Sequence, residues 1–186
     1  MVIARGLAGI MLAAGRSRRF GRADKLIAPY EARPLICHAA TALSAIRPEH
    51  LIVVTRSSRV AALLPGWHVV APEAGLPQSA SLRAGIAAAI KRDAQSALIV
   101  LGDMPAVTKP LLEAVVARMG EGQAAAATDG KRRLPPAGFP KAYFSDLMAA
   151  QGDQGARALL AQIPGPQLVL AKASELHDVD RPADLN

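Results

Sequence analysis

Asp103 stands in the run Leu101-Gly102-Asp103-Met104-Pro105, directly after an apolar stretch at 97–101 that reads as a β-strand. A carboxylate at the carboxyl end of a strand faces the crevice where α/β sheets collect ligands, and there it can hold Mg2+ with waters and phosphate oxygens around it. Capping of the following turn is the competing role. A second acidic group lies in His177-Asp178-Val179-Asp180-Arg181-Pro182. Alternation puts Asp178 and Asp180 on one side of an extended segment, so both cannot point into the core. Asp180 is the candidate second metal ligand, and Asp178 is expected to cap the turn before Pro182.

The segment 12–25 leaves the first apolar run and carries five cations in the ten residues from Arg16 to Lys25. The small residues Ala13, Ala14 and Gly15 let a ligand approach the backbone, whose successive N–H groups form a concave anion site. Arginine forks and a lysine point charge can then neutralise phosphate oxygens. The spacing matches neither a Walker A loop nor a dinucleotide fingerprint. A solvated basic face and an electrostatic nucleic-acid contact are the alternatives. In Gln78-Ser79-Ala80-Ser81-Leu82-Arg83, serines at a helix start offer donors to an anion or a base edge. His38, His50, His68 and His177 show no ligand spacing, and Cys37, the single cysteine, reads as a buried structural thiol.

The elements that must position these groups follow from composition and period. At 186 residues the chain is expected to form one domain, 1–186, with an aliphatic core: alanine accounts for 39 residues and aromatics for only six. So few aromatics argue against a protein that stacks bases on aromatic platforms. Residues 1–60 hold ten Lys/Arg against three Asp/Glu, while 61–186 hold twelve of each, so the net charge of +7 sits in the N-terminal third and points to an anionic partner there. Lack of an apolar run of about 18 residues argues against a membrane span. The lone cysteine fits a reducing, cytoplasmic setting.

Candidate strands at 7–12, 51–55, 68–71, 97–101, 124–128 and 167–171 alternate with candidate helices at 34–46, 57–64, 79–91, 109–119 and 155–162. This order predicts an α/β fold, a three-layer α/β/α sandwich around a Rossmann-like, mainly parallel sheet. The stretch 129–140, with Lys131-Arg132-Arg133 and Pro135-Pro136, reads as an irregular loop over the site or a partner-facing lobe.

Taken in order, these segments resemble the nucleotidyltransferases of molybdenum cofactor maturation, most closely the cytidylyltransferase group. The resemblance rests on Leu12-Ala13-Ala14-Gly15 with Ser17, Arg19, Phe20, Gly21 and Lys25, on Ser79-x-Ser81-Leu82-Arg83-x-Gly85, and on Leu101-Gly102-Asp103-Met104-Pro105. It continues through Gly152-Asp153-Gln154-Gly155-Ala156-Arg157 and the C-terminal Asp178-x-Asp180-x-Pro182-x-Asp184-Leu185. Ala13-Ala14, followed by Gly15, is similar to cytidylyl enzymes, since guanylyl relatives usually carry Ala-Gly-Gly there.

The resemblance implies a nucleotidyltransferase fold and transfer of CMP from CTP to the phosphate of molybdopterin or its metal-loaded form. It also implies Arg19, Lys25 and Asp103 as catalytic residues, with Leu12, Ala13, Ala14, Gly15, Ser79 and Ser81 on the nucleotide and Mg2+ on Asp103 and Asp180. An apoenzyme client or maturation chaperone is an implied partner; a membrane or nucleic acid is not. Arg133-Leu134-Pro135-Pro136 stands where relatives often have Arg-Gly-His-Pro, which leaves the acceptor open. Alternatives are a guanylyl or sugar-phosphate nucleotidyltransferase, a non-catalytic cofactor-binding chaperone, and a basic nucleic-acid-binding protein.

Overall fold

The central strands are uninterrupted apolar runs, as in Leu51–Val54 and Ala97–Leu101, so both faces of the sheet must be covered. In the computed structural model, which describes residues 4–15, 20, 24–73, 78–120, 122–152 and 155–185, Met11, Val53, Leu98 and Val100 point to one core and Ile10, Ile52, Val54 and Ile99 to the other. Helices α1 (Leu35–Ala45), α2 (Ser58–Ala62) and α4 (Lys109–Arg118) cover the first face. On the second lie α3 (Gln78–Ile90), α5 (Phe144–Ala149) and α6 (Gly155–Gln162). The result is the expected α/β/α sandwich.

The sheet has seven strands in the order β5-β4-β1-β6-β8-β7-β9. Strands β1 (Ala4–Leu12), β4 (Pro48–Val54), β5 (His68–Val70) and β6 (Ser96–Leu101) pair in parallel, as do β7 (Ala125–Thr128) and β9 (Leu168–Leu170). Two close approaches hold the centre together. A Cβ on Gly85 of α3 would lie 2.7 Å from Ile10 Cγ2, so this glycine of the serine-rich motif lets α3 pack onto β1. Gly102 brings the ends of β6 and β1 into contact: its N–H donates to the Leu12 carbonyl at 2.9 Å, and an added Cβ would sit 3.4 Å from that of Ala13.

One expectation is corrected here. The stretch read as an irregular loop contains β8 (Arg133–Pro140), an interior strand antiparallel to both β6 and β7. Proline donates nothing to a ladder, so Pro135-Pro136 argues against a central strand. The chain accommodates them by a register break: Ala126 pairs with Ala137 and Ala127 with Leu134, leaving both prolines outside the ladder, while β6 pairs only with 137–140.

A short hairpin of β2 (Pro29–Tyr30) and β3 (Arg33–Pro34) precedes α1, turning through Glu31 and Ala32 at positive φ. Buried His38 ties it to the helix, with Nε2 2.9 Å from the Tyr30 carbonyl and Nδ1 3.2 Å from the Arg33 guanidinium. A carbonyl only accepts and a guanidinium only donates, so the ring carries its hydrogen on Nε2. Among the described residues no helix is long and apolar enough to cross a membrane.

Candidate active site

The carboxyl ends of β1 and β6 meet the C-terminal segment at one edge of the sheet. Asp103 follows β6 through Gly102, and its carbonyl accepts the Val179 N–H at 2.9 Å. Val179 is fully buried and so anchors its neighbours. Alternation about this apolar residue turns Asp178 and Asp180 to the same side, where each offers a carboxylate oxygen within 4.8 Å of the others and of Asp103. The approach to this segment is held by Glu175, which accepts from Thr108 Oγ1 at 3.0 Å, while Thr108 also caps α4.

Asp178 therefore belongs with the acids of the site and not with the turn it was expected to cap. Asp184 does that work: its carboxylate accepts the backbone N–H groups of Asp180 at 2.9 Å and Arg181 at 2.8 Å. Those bonds hold the Asp184 carboxyl below its ordinary range.

Lys25 opens a 3-10 turn, Lys25–Ile27, capped by Asp24. It is buried, and its Nζ donates to Asp103 Oδ2 at 2.6 Å and to the Val179 carbonyl at 2.9 Å, with Asp180 Oδ1 at 3.6 Å. Burial raises the Asp103 pKa, and the Lys25 charge and hydrogen bond work against that rise. Lys25 thus lies among the carboxylates.

Beside the acids runs a cleft of about 450 Å3. Leu12, Leu101 and Met104 line it from the ends of β1 and β6, Asp178 from the C-terminal segment, Ser79 from α3, Arg132 from the turn before β8 and Arg133 from the first residue of β8. Ala13 is buried with its N–H on the Val54 carbonyl, Ala14 is half-buried and Gly15 is exposed. Ser79 is the second residue of α3, not its cap, and its Oγ accepts from Arg83 at 3.3 Å. Arg83 also donates to the Ala150 carbonyl at 2.6 Å, so it ties α3 to the end of α5. Ser81 is buried and is not among the residues lining the cleft. Arg19 lies outside the described residues.

A larger groove, about 780 Å3, shares no residue with this cleft. It is lined by half-buried Cys37, whose thiol burial pushes up in pKa, and by Trp67 and the Lys109–Glu113 pair, a set with no cluster of metal-binding groups. Low thiolate content makes Cys37 a poor nucleophile.

The family model of the MobA-like NTP transferase domain matches residues 9–168, from within β1 to the first residue of β9, which takes in the cleft wall except Leu176 and Asp178. The chain belongs to this family. It is an NTP transferase of the nucleotidyltransferase fold. Purine catabolism protein PucB of Bacillus subtilis is 32% identical over 96% of this chain and 93% of its own length. A molybdenum cofactor guanylyltransferase of Shewanella sediminis is 30% identical over 81% of this chain and 76% of its own. Among solved structures, Rv0371c of Mycobacterium tuberculosis superposes with a TM-score of 0.83 at 26% identity, covering 96% of this chain and 95% of that one, and it has also been solved as a manganese complex.

One further carboxylate, next to the cleft-lining Arg132, is fixed by hydrogen bonds. At the β7–β8 turn the Asp129 carboxylate takes four N–H bonds from Lys131 and Arg132, which hold its pKa at about 2. A carboxyl depressed on folding contributes stability that is complete above its unfolded value, about 3.9, and is lost as pH falls through the folded one. The melting temperature of Asp129→Asn should therefore lie below that of the wild type at pH 6, and the gap should close between pH 4 and pH 2, the window set by the pKa of about 2. A gap unchanged at pH 2 would show that the carboxylate is not held in this way.

Proposed function

We propose that the protein transfers CMP from CTP to a phosphate of molybdopterin or its metal-loaded form and releases pyrophosphate. The observation that carries a transfer reaction is the convergence of Asp103, Asp178, Asp180 and Lys25 beside an open cleft at the strand ends. Three oxygen donors of one chemical kind suit a hard divalent cation such as Mg2+, and an ammonium already drawn among them reports how negative the position is. Asp103, Asp178 and Asp180 would hold that cation, which when bound supplies neutralisation of the charge on the triphosphate and its leaving group.

The chain's own residues do the rest by position. The N–H groups of Ala14 and Gly15, with Arg19 and Lys25, bind the triphosphate; Leu12, which lines the cleft, and Ala13, whose N–H is taken by the Val54 carbonyl, shape the approach, while Ser79 lies on the base side and buried Ser81 supports the helix. Holding the acceptor phosphate in line with the α-phosphorus removes the entropic part of the barrier. The attacking oxygen displaces pyrophosphate as the new P–O bond forms, so the protein needs little covalent chemistry. A phosphate monoester is already largely ionised at neutral pH, and no side chain has to take its proton.

Ala13-Ala14 supports CTP over GTP through its resemblance to the opening of the cytidylyl enzymes. The Shewanella relative, named a guanylyltransferase, favours GTP as the second reading. Equal concentrations of CTP and GTP in one reaction with Mg2+ and molybdopterin should yield mainly the cytidylyl product. A site built around one base can discriminate by about 10⁴. A product that is mostly guanylylated would overturn the choice of base and leave the transfer itself standing.

A further inference from the structure

The nucleotide roles above leave one charged wall of the cleft unused. At the β7–β8 turn, Asp129 Oδ1 accepts the backbone N–H of Lys131 at 2.9 Å and of Arg132 at 2.7 Å. Its Oδ2 accepts Nε and Nη2 of Arg132 at 3.1 and 3.0 Å. Thr128 Oγ1 accepts the Gly130 N–H at 3.1 Å and donates to the Arg132 carbonyl at 2.8 Å, so the turn holds the arginine at both backbone and side chain. The Oδ1 contacts alone would make the turn. Gripping the guanidinium as well adds little stability, since Arg132 is 71% exposed and such pairs are worth about 0–1 kcal/mol. What the grip does is fix direction: two of five guanidinium N–H groups are committed and three are left for a ligand.

Arg132 lines the same cleft as Asp178 and stands beside Arg133, over a floor of Leu134, Ala137 and Phe139. A reaction that brings a phosphate dianion against a triphosphate joins two anions. Lys25 and the acids are engaged on the nucleotide side, so the incoming phosphate needs a cation of its own. We infer that Arg132 binds the phosphate of the acceptor, a phosphate monoester on a flat, weakly polar body, and that Asp129 is the positioning residue that aims it. This inference rests on the transfer reading above for the order of events, but the binding it describes can be measured alone.

The probe is 6-hydroxymethylpterin phosphate, compared with unphosphorylated 6-hydroxymethylpterin, each titrated into the full chain by pterin fluorescence. The wild type should prefer the phosphorylated pterin by about tenfold or more, the range of one charge-assisted fork. Arg132→Gln should erase that preference, and Asp129→Asn should reduce it several-fold. Arg132→Lys should not restore it, because a point charge lacks the planar fork. CTP affinity should stay within about twofold in all three variants, since none removes a group from the triphosphate side; a general structural loss would move both ligands together. Unchanged phosphate preference in Arg132→Gln, or no preference in the wild type, overturns the inference. Phosphate preference that depends on Arg132 in a protein that incorporates neither CMP nor GMP would instead uphold the subsite and reject the transfer reading.

Discussion

Asp103→Asn is expected to slow nucleotidyl transfer by about 10²–10³, the loss typical of removing one charge aimed at the reacting phosphates. The substitution keeps the volume of the side chain and an oxygen that can still accept from Lys25. The buried ammonium also keeps the Val179 carbonyl and Asp180, so it is not orphaned and the chain should fold. Burial raises the Asp103 pKa, so holding this carboxylate charged at neutral pH opposes folding, and that cost vanishes in the amide. Loss of the 2.6 Å ion pair acts the other way. The two effects oppose each other, and the melting temperature should move far less than the rate. Single-turnover transfer at saturating nucleotide and matched Mg2+ separates them. Near wild-type turnover would remove Asp103 from the reaction.

Lys25→Met is expected to damage both function and fold. It deletes a cation from the phosphate side and leaves three carboxylates facing one another. Breaking a buried pair by removing one partner costs about 3–5 kcal/mol, and the lower end applies here because Asp180 is 46% exposed to solvent. Without the ammonium, burial raises the Asp103 pKa unopposed by the Lys25 charge, so Asp103 holds its proton more tightly when folded than when unfolded. The variant's stability deficit should therefore be fullest at neutral pH and shrink as pH falls into the carboxylate range. Millimolar Mg2+ should raise its melting temperature more than that of the wild type, since it relieves a larger repulsion, and the KM for nucleotide should rise as kcat falls. Wild-type melting behaviour at pH 7 would mean that the three carboxylates do not depend on Lys25.

The parallel part of the sheet was legible because each strand is a short apolar run between helical periods, as at 97–101, where a central strand buries four consecutive residues, 97–100. Strand β8 was hidden because its register break admits a proline pair that no local rule places inside a sheet. Helix α5, six residues long, is too short to show a period. Asp103 and Asp180 could be picked out by their position after a strand and by alternation. The same alternation was the signal for Asp178, since both acids flank the apolar Val179, yet capping was the simpler local account. No local pattern could show that Lys25 lies among those acids, because that contact joins segments 78 and 154 residues apart in sequence. Arg132 was read only as part of a basic run, and its fixed direction depends on the tertiary turn built by Asp129.

The most direct test of the transfer reaction is to follow the label in CTP. With Mg2+, molybdopterin and CTP labelled at the α-phosphorus, the label should move into the acceptor product, and with γ-labelled CTP it should leave as pyrophosphate in equal amount. Release of labelled inorganic phosphate from γ-labelled CTP with no α-label in the acceptor would contradict nucleotidyl transfer.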